Sequence, residues 1–192
     1  MPELSKVYNM KSSYLNNDIN YGDFFKQLCF VKNPSYIVEF GILDGFSLKS
    51  MQVSTSKNCR IDVFDIFDEF VGNKANLIDI QNKFKDDSRI HINKENFYSS
   101  TERFQDNSID ILHVDIANTG DIYDTLVKLT KKLKDDGILI LEGGSKERDE
   151  IEWMKKYDKK SLHEMIQRLD MYENITLGTM PSITFLRKKL LL

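Results

Sequence analysis

Residues 35–47, SYIVEFGILDGFS, pass from an apolar run into a turn holding Gly41 and Gly45 and then into a segment of helical spacing. The run has the β-branched and aromatic content of a buried strand. Glycine at 41 and 45 lets backbone approach a ligand with no Cβ in the way, and the helix start beyond leaves N–H groups without intrahelical partners. Asp65, which ends the next apolar run, stands about twenty residues past Gly45, the distance at which a carboxylate can take both hydroxyls of an adenosine ribose.

Outward from this stretch the same alternation repeats. RIDVFD (60–65), RIHIN (89–93), DILHVD (110–115) and GILILE (137–142) follow SYIVEF as strands. Segments 47–57, 74–85 and 121–133 carry apolar residues at three- and four-residue spacing, as with Ile122, Leu126, Leu129 and Leu133, and read as crossover helices. Residues 19–31 predict a helix at one edge of the sheet, stopped before Pro34, while residues 1–17 read as loose. Beyond the fifth strand, residues 146–169 form a charged helical stretch, and NITLGTM (174–180) and SITFLRK (182–188) pair as a hairpin. The expected fold is one α/β domain, Rossmann-like and doubly wound, with a seven-stranded, mostly parallel sheet ending in an antiparallel strand.

The 192 residues are 41% hydrophobic, enough for one filled core. Lys and Arg total 27 against 30 Asp and Glu, with signs mixed along the chain, so no basic footprint indicates nucleic acid. The first residues lack a signal-peptide apolar core and no run approaches the ~18 apolar residues of a membrane span, so a cytoplasmic protein without membrane contact is expected. Cys29 and Cys59 read as buried reduced thiols.

Charge selects among adenosine ligands. A dinucleotide would place an anionic pyrophosphate over a loop that carries Glu39 and Asp44. S-adenosylmethionine presents an ammonium and a sulfonium there instead. Glu39 suits the ammonium, and the loop residues Gly41, Asp44, Gly45 and Ser47 complete the cradle; Glu39 and Asp44 as solvated turn residues is the second reading.

VEFGILDGFS followed by VFDIFDEF resembles the class I methyltransferases of the macrocin and catechol O-methyltransferase type, in which a Glu-x-Gly-x-x-x-Gly-x-Ser loop precedes an Asp-x-Phe acid motif. The likeness runs from Ser35 to Glu142, and the terminal hairpin agrees with it. It implies that Asp65 holds the ribose, that Ile66 and Phe67 flank the adenine, and that Asn96 and Phe97 lie near its edge. Ordinary core aromatics is an equal reading for Phe67 and Phe97. A homodimer is a further implication.

Ligands of a doubly wound sheet lie at the carboxyl ends of the strands, which directs attention to HVDIAN (113–118) and LEGGS (141–145). Asp115 is the expected base and a cofactor contact, with Glu142 beside it in the catalytic set. Metal-dependent relatives would place a cation on an Asp at the fourth strand and an acidic pair after the fifth. Asp115 and Glu142 could hold Mg²⁺ between them, although Gly143 supplies no side chain and Ala117 stands where a further carboxylate is usual. His113 reads as a satisfied core residue before a base, and Asn118 as a ligand contact or a turn residue. Residues 145–170 either fold over the cleft as a lid, with Arg148, Trp153 and Tyr157 facing an acceptor, or form a surface helix whose Trp153 packs on the sheet; Lys155, Lys156, Lys159 and Lys160 read as a solvated face, and His163 has no evident partner. The expected activity is methyl transfer to a small-molecule acceptor, through oxygen by family likeness. The alternatives are an NAD(P)-binding oxidoreductase and a cofactor-binding member that has lost its chemistry.

Overall fold

The computed structural model describes Tyr14, residues 20–67 and residues 73–189. The expected loose segment, apart from Tyr14, and Asp68 to Phe70 of the acid motif lie outside the described residues.

The strands form where expected: β1 (Tyr36–Phe40), β2 (Arg60–Asp65), β3 (Ile90–Lys94), β4 (Ile109–Val114), β5 (Leu133–Glu142), β6 (Tyr172–Leu177) and β7 (Ile183–Lys188). They build a 7-stranded sheet in the order β3-β2-β1-β4-β5-β7-β6. β1 to β5 pair in parallel, and β7 enters antiparallel between β5 and β6.

Both faces are covered, so the central strands are apolar without a polar side, as buried parallel strands must be. Successive residues still alternate between two cores. Ile37, Ile61, Ile111 and Ile140 point to the face under α1 (Tyr21–Lys32), α2 (Phe46–Gln52) and α3 (Leu77–Phe84), where Phe25, Leu48, Met51, Ile80 and Phe84 meet them. Val38, Leu112, Leu139 and Leu141 point to the other, under Leu126 and Leu129 of α4 (Tyr123–Thr130). Glu39 and His113, two residues beyond Ile37 and Ile111, therefore fall on the first face, inside an apolar layer.

Several boundaries move for local reasons. The helix expected over 47–57 ends at Gln52, and that expected over 74–85 begins only after Asn76, whose side chain accepts from Asp79 N–H. The stretch 146–169 is three short helices rather than one: α5 (Lys146–Asp149), α6 (Glu152–Lys156) and α7 (Leu162–Gln167). Asp158 at φ 46° breaks the path, and Ser161 restarts it by accepting from Glu164 N–H. Cys29 and Cys59 are buried free thiols. Among the described residues no helix is long and apolar enough to cross a membrane.

Candidate functional site

The carboxyl ends of β1, β2, β4 and β5 carry Glu39, Asp65, Asp115 and Glu142, so four carboxylates rim one end of the sheet. Each is held differently.

Glu39 is fully buried. Its Oε1 accepts from the Ser47 hydroxyl and lies 2.9 Å from His113 Nδ1. The other oxygen, Oε2, is buried and has no hydrogen-bond partner. Beyond His113 the chain of contacts continues, with Nε2 2.6 Å from the Tyr14 hydroxyl. That hydroxyl also hydrogen-bonds the Asp115 carboxylate. Burial above all, then the charges of Asp115, Glu142 and Glu39, hold the Tyr14 hydroxyl well above the usual phenol range. The end of the sheet thus gathers negative charge, which Arg148 offsets at Glu142.

Asp65 accepts Ile42 N–H on Oδ2 at 2.9 Å, and Phe67 N–H and the Asn73 amide on Oδ1 at 2.6 and 2.8 Å. A carboxylate offers about four lone-pair sites. The hold on two ribose hydroxyls expected of Asp65 therefore narrows to one further donor unless these contacts rearrange.

Glu142 forms a two-pronged ion pair with Arg148, Nε to Oε1 at 3.0 Å and a terminal nitrogen to Oε2 at 2.9 Å, with both side chains buried. The same guanidinium lies 5.5 Å from the Trp153 ring. Arg148 bears on two expectations at once: it neutralises the Glu142 carboxylate expected in the catalytic set, and a divalent cation beside Glu142 would face a fixed positive charge. Among the described residues no group of three or more His, Cys, Asp or Glu is placed to hold a metal. The expected Asp115–Glu142 pair does not suit Mg²⁺ as it stands, because the Arg148 guanidinium lies on both Glu142 oxygens.

The glycines answer to packing. A Cβ on Gly41, at φ 85°, would stand 1.8 Å from the Asp115 carbonyl oxygen, and one on Gly45, at φ 77°, 2.7 Å from the Phe84 ring. Close approach of β4 and α3 requires glycine at both positions. The other residues expected at the cofactor have these partners. Asp44 is exposed and its carboxylate accepts from Phe46 N–H, so it is the turn residue. Ser47 gives its hydroxyl to Glu39. Asn96 is exposed and caps the next turn through Tyr98 N–H, while Phe97 is buried edge-on against Phe40, 5.0 Å between centroids. Phe67 is a core aromatic, and Ile66 is half-buried.

Asn118 ties the rim together: its amide donates to the Val114 and Glu142 carbonyls at 2.7 and 2.9 Å, joining the ends of β4 and β5. His163 does have partners, Nδ1 on the Gly144 carbonyl at 2.9 Å and its N–H on Asp149. Tyr157 and the four lysines are exposed. Nothing along the chain signals Tyr14, one of two tyrosines in a polar stretch. For the Arg148 pair, a Glu ending a strand and an Arg six residues on was the only hint.

No family model and no curated protein matches the chain. Solved structures do. A methyltransferase of Podospora anserina, bound to S-adenosylhomocysteine, aligns at 14% identity and TM-score 0.71 over 98% of this chain and 86% of that one. An O-methyltransferase of Bacillus cereus, in complex with the same molecule, aligns at 14% and 0.69 over 98% and 88%. The chain has the methyltransferase fold. A carbon methyltransferase, CurJ, shares that fold at 13% identity and TM-score 0.59, over 83% of this chain and 50% of that one, so the methyltransferase fold leaves the accepting atom open.

Proposed function

We propose that the chain is an S-adenosylmethionine-dependent methyltransferase acting on a hydroxyl of a small molecule. The observation that carries this reading is Glu39 Oε2: a carboxylate oxygen buried at the end of β1, without a partner, in a rim of further carboxylates. A buried charge needs a compensating cation. The ligand's ammonium supplies one, whereas a pyrophosphate would be repelled.

Bound at this rim, S-adenosylmethionine supplies an electrophilic methyl group on a sulfonium. Glu39 would hold the ammonium, and Asp65 a ribose hydroxyl through its remaining acceptor site. Asp115, one strand over, would take the acceptor's proton as the oxygen is methylated. Arg148 and Asn118 keep Glu142 and the β4 and β5 ends in place rather than reacting. Residues 145–170 would form the wall beside the acceptor.

Calorimetry on the whole chain with S-adenosylmethionine, S-adenosylhomocysteine and NAD tests the reading. Binding of the first two and not the third is the expected result; binding of NAD alone, or of none, would overturn it. A cofactor-product assay over a metabolite library, with and without a chelator, then finds the acceptor and should be indifferent to chelation.

A further inference from the structure

Nothing in the proposed reaction uses His113 or Tyr14, yet the two link Glu39 to Asp115 through a buried polar chain. The imidazole is fully buried, packed 5.1 Å from the Phe25 ring, with each nitrogen engaged. A polar group so placed in an apolar layer is expensive unless it is hydrogen-bonded, and here each nitrogen's partner leads on to a carboxylate of the rim.

Hydrogen-bond accounting fixes its direction. The Tyr14 hydroxyl has one proton and two acceptors, His113 Nε2 and Asp115. It donates to a neutral imidazole, or it donates to Asp115 while an imidazolium donates to it. In both arrangements Nδ1 carries a proton aimed at Glu39, because a carboxylate accepts only. Oε1 of Glu39 thereby receives two donors, from His113 and Ser47, and Oε2 receives none. The side chain is pinned by one oxygen with the other held out.

We propose that His113 is a positioning residue for the ligand's amino-acid end: it fixes Glu39 so that Oε2 meets the ammonium, and Tyr14 locks the imidazole that does so. The inference rests on the methyltransferase reading. Its recognition chemistry is specific, since it acts on the ammonium and not on the adenosine.

The test compares two ligands by calorimetry on the full chain. S-adenosylhomocysteine has the amino-acid end; 5′-methylthioadenosine has the adenosine and sulfur without it. His113→Leu should weaken the first about tenfold, the worth of one charge-assisted hydrogen bond, and leave the second within about twofold. His113→Asn, which keeps an N–H near the Nδ1 position, should recover most of the loss, and Tyr14→Phe should weaken the first ligand alone by about threefold. Parallel weakening of both ligands, or an unchanged ratio in a folded His113→Leu, overturns the inference. If that variant melts before assay, an unchanged ratio in Tyr14→Phe does the same. A wild type that binds neither ligand removes the methyltransferase reading along with it, whereas one that binds both with a ratio insensitive to these positions removes this inference alone.

Discussion

Glu39 and His113 stand opposite each other on adjacent parallel strands, Oε1 and Nδ1 2.9 Å apart, with neither side chain reaching solvent. The shape of the site follows from the carboxylate in that pair. Glu39→Gln keeps an oxygen for His113 and Ser47 and removes the charge. The variant should fold and bind S-adenosylmethionine roughly ten- to a hundredfold more weakly, as expected for one lost charged hydrogen bond. Calorimetry alongside a melting curve separates affinity from folding.

Asp115→Asn should lower turnover by roughly 10²- to 10⁴-fold, the usual contribution of a positioned base, while cofactor affinity changes by less than about threefold. The comparison is made on the acceptor that the library assay identifies. Turnover near wild type would strip Asp115 of its role.

Arg148→Met leaves the Glu142 charge buried and uncompensated. Such removal of one partner costs about 3–5 kcal/mol, read from urea unfolding. Arg148→Met combined with Glu142→Leu should regain much of that loss, because the apolar pair strands no charge.

Gly41→Ala places a methyl group against the Asp115 carbonyl and strains a backbone at φ 85°. Left-handed strain and overpacking together amount to about 2–5 kcal/mol. Gly45→Ala meets the Phe84 ring instead, and a ring can shift where a strand end cannot. Unfolding curves should therefore rank Gly41→Ala as the more damaging.

Tyr14 governs an alkaline limit. Its hydroxyl is held above the ordinary phenol range near 10, so the unfolded chain loses that proton first, and the stability it represents is complete below about pH 10 and lost as pH rises beyond. Burial pushes the Cys59 thiol up to about 11 and the Cys29 thiol up to about 12, with the same sign. Urea unfolding between about pH 8 and 11 should show falling stability with a shallower slope in Tyr14→Phe. An identical slope would place the Tyr14 hydroxyl outside the buried network.

The fold was legible because buried strands advertise themselves locally: IVEF, DVFD, ILHV and ILILE need no distant information to be read. The sheet's antiparallel end was equally visible in the hairpin. The site was legible only as an acidic rim. That Glu39 faces inward depends on its register with His113, and that Ser47 serves Glu39 depends on a helix turning back over β1. The cost to Glu142 as a ligand came from Arg148, whose side chain folds back across a loop. Spacing along one chain carries none of these directions. The helical pattern over 146–169 misled for a related reason, since its apolar residues suit one long stripe and the break at Asp158 is a backbone event.

β7 lies inside the sheet, between β5 and β6, although it follows both in the chain. Until it arrives, β6 has no neighbour and the Gly143 backbone lacks its contacts with Ser182 and Thr184. On the ribosome the rim that carries Glu142 would stay open until residues 182–188 emerge, so the acidic end sets after the five parallel strands have been made.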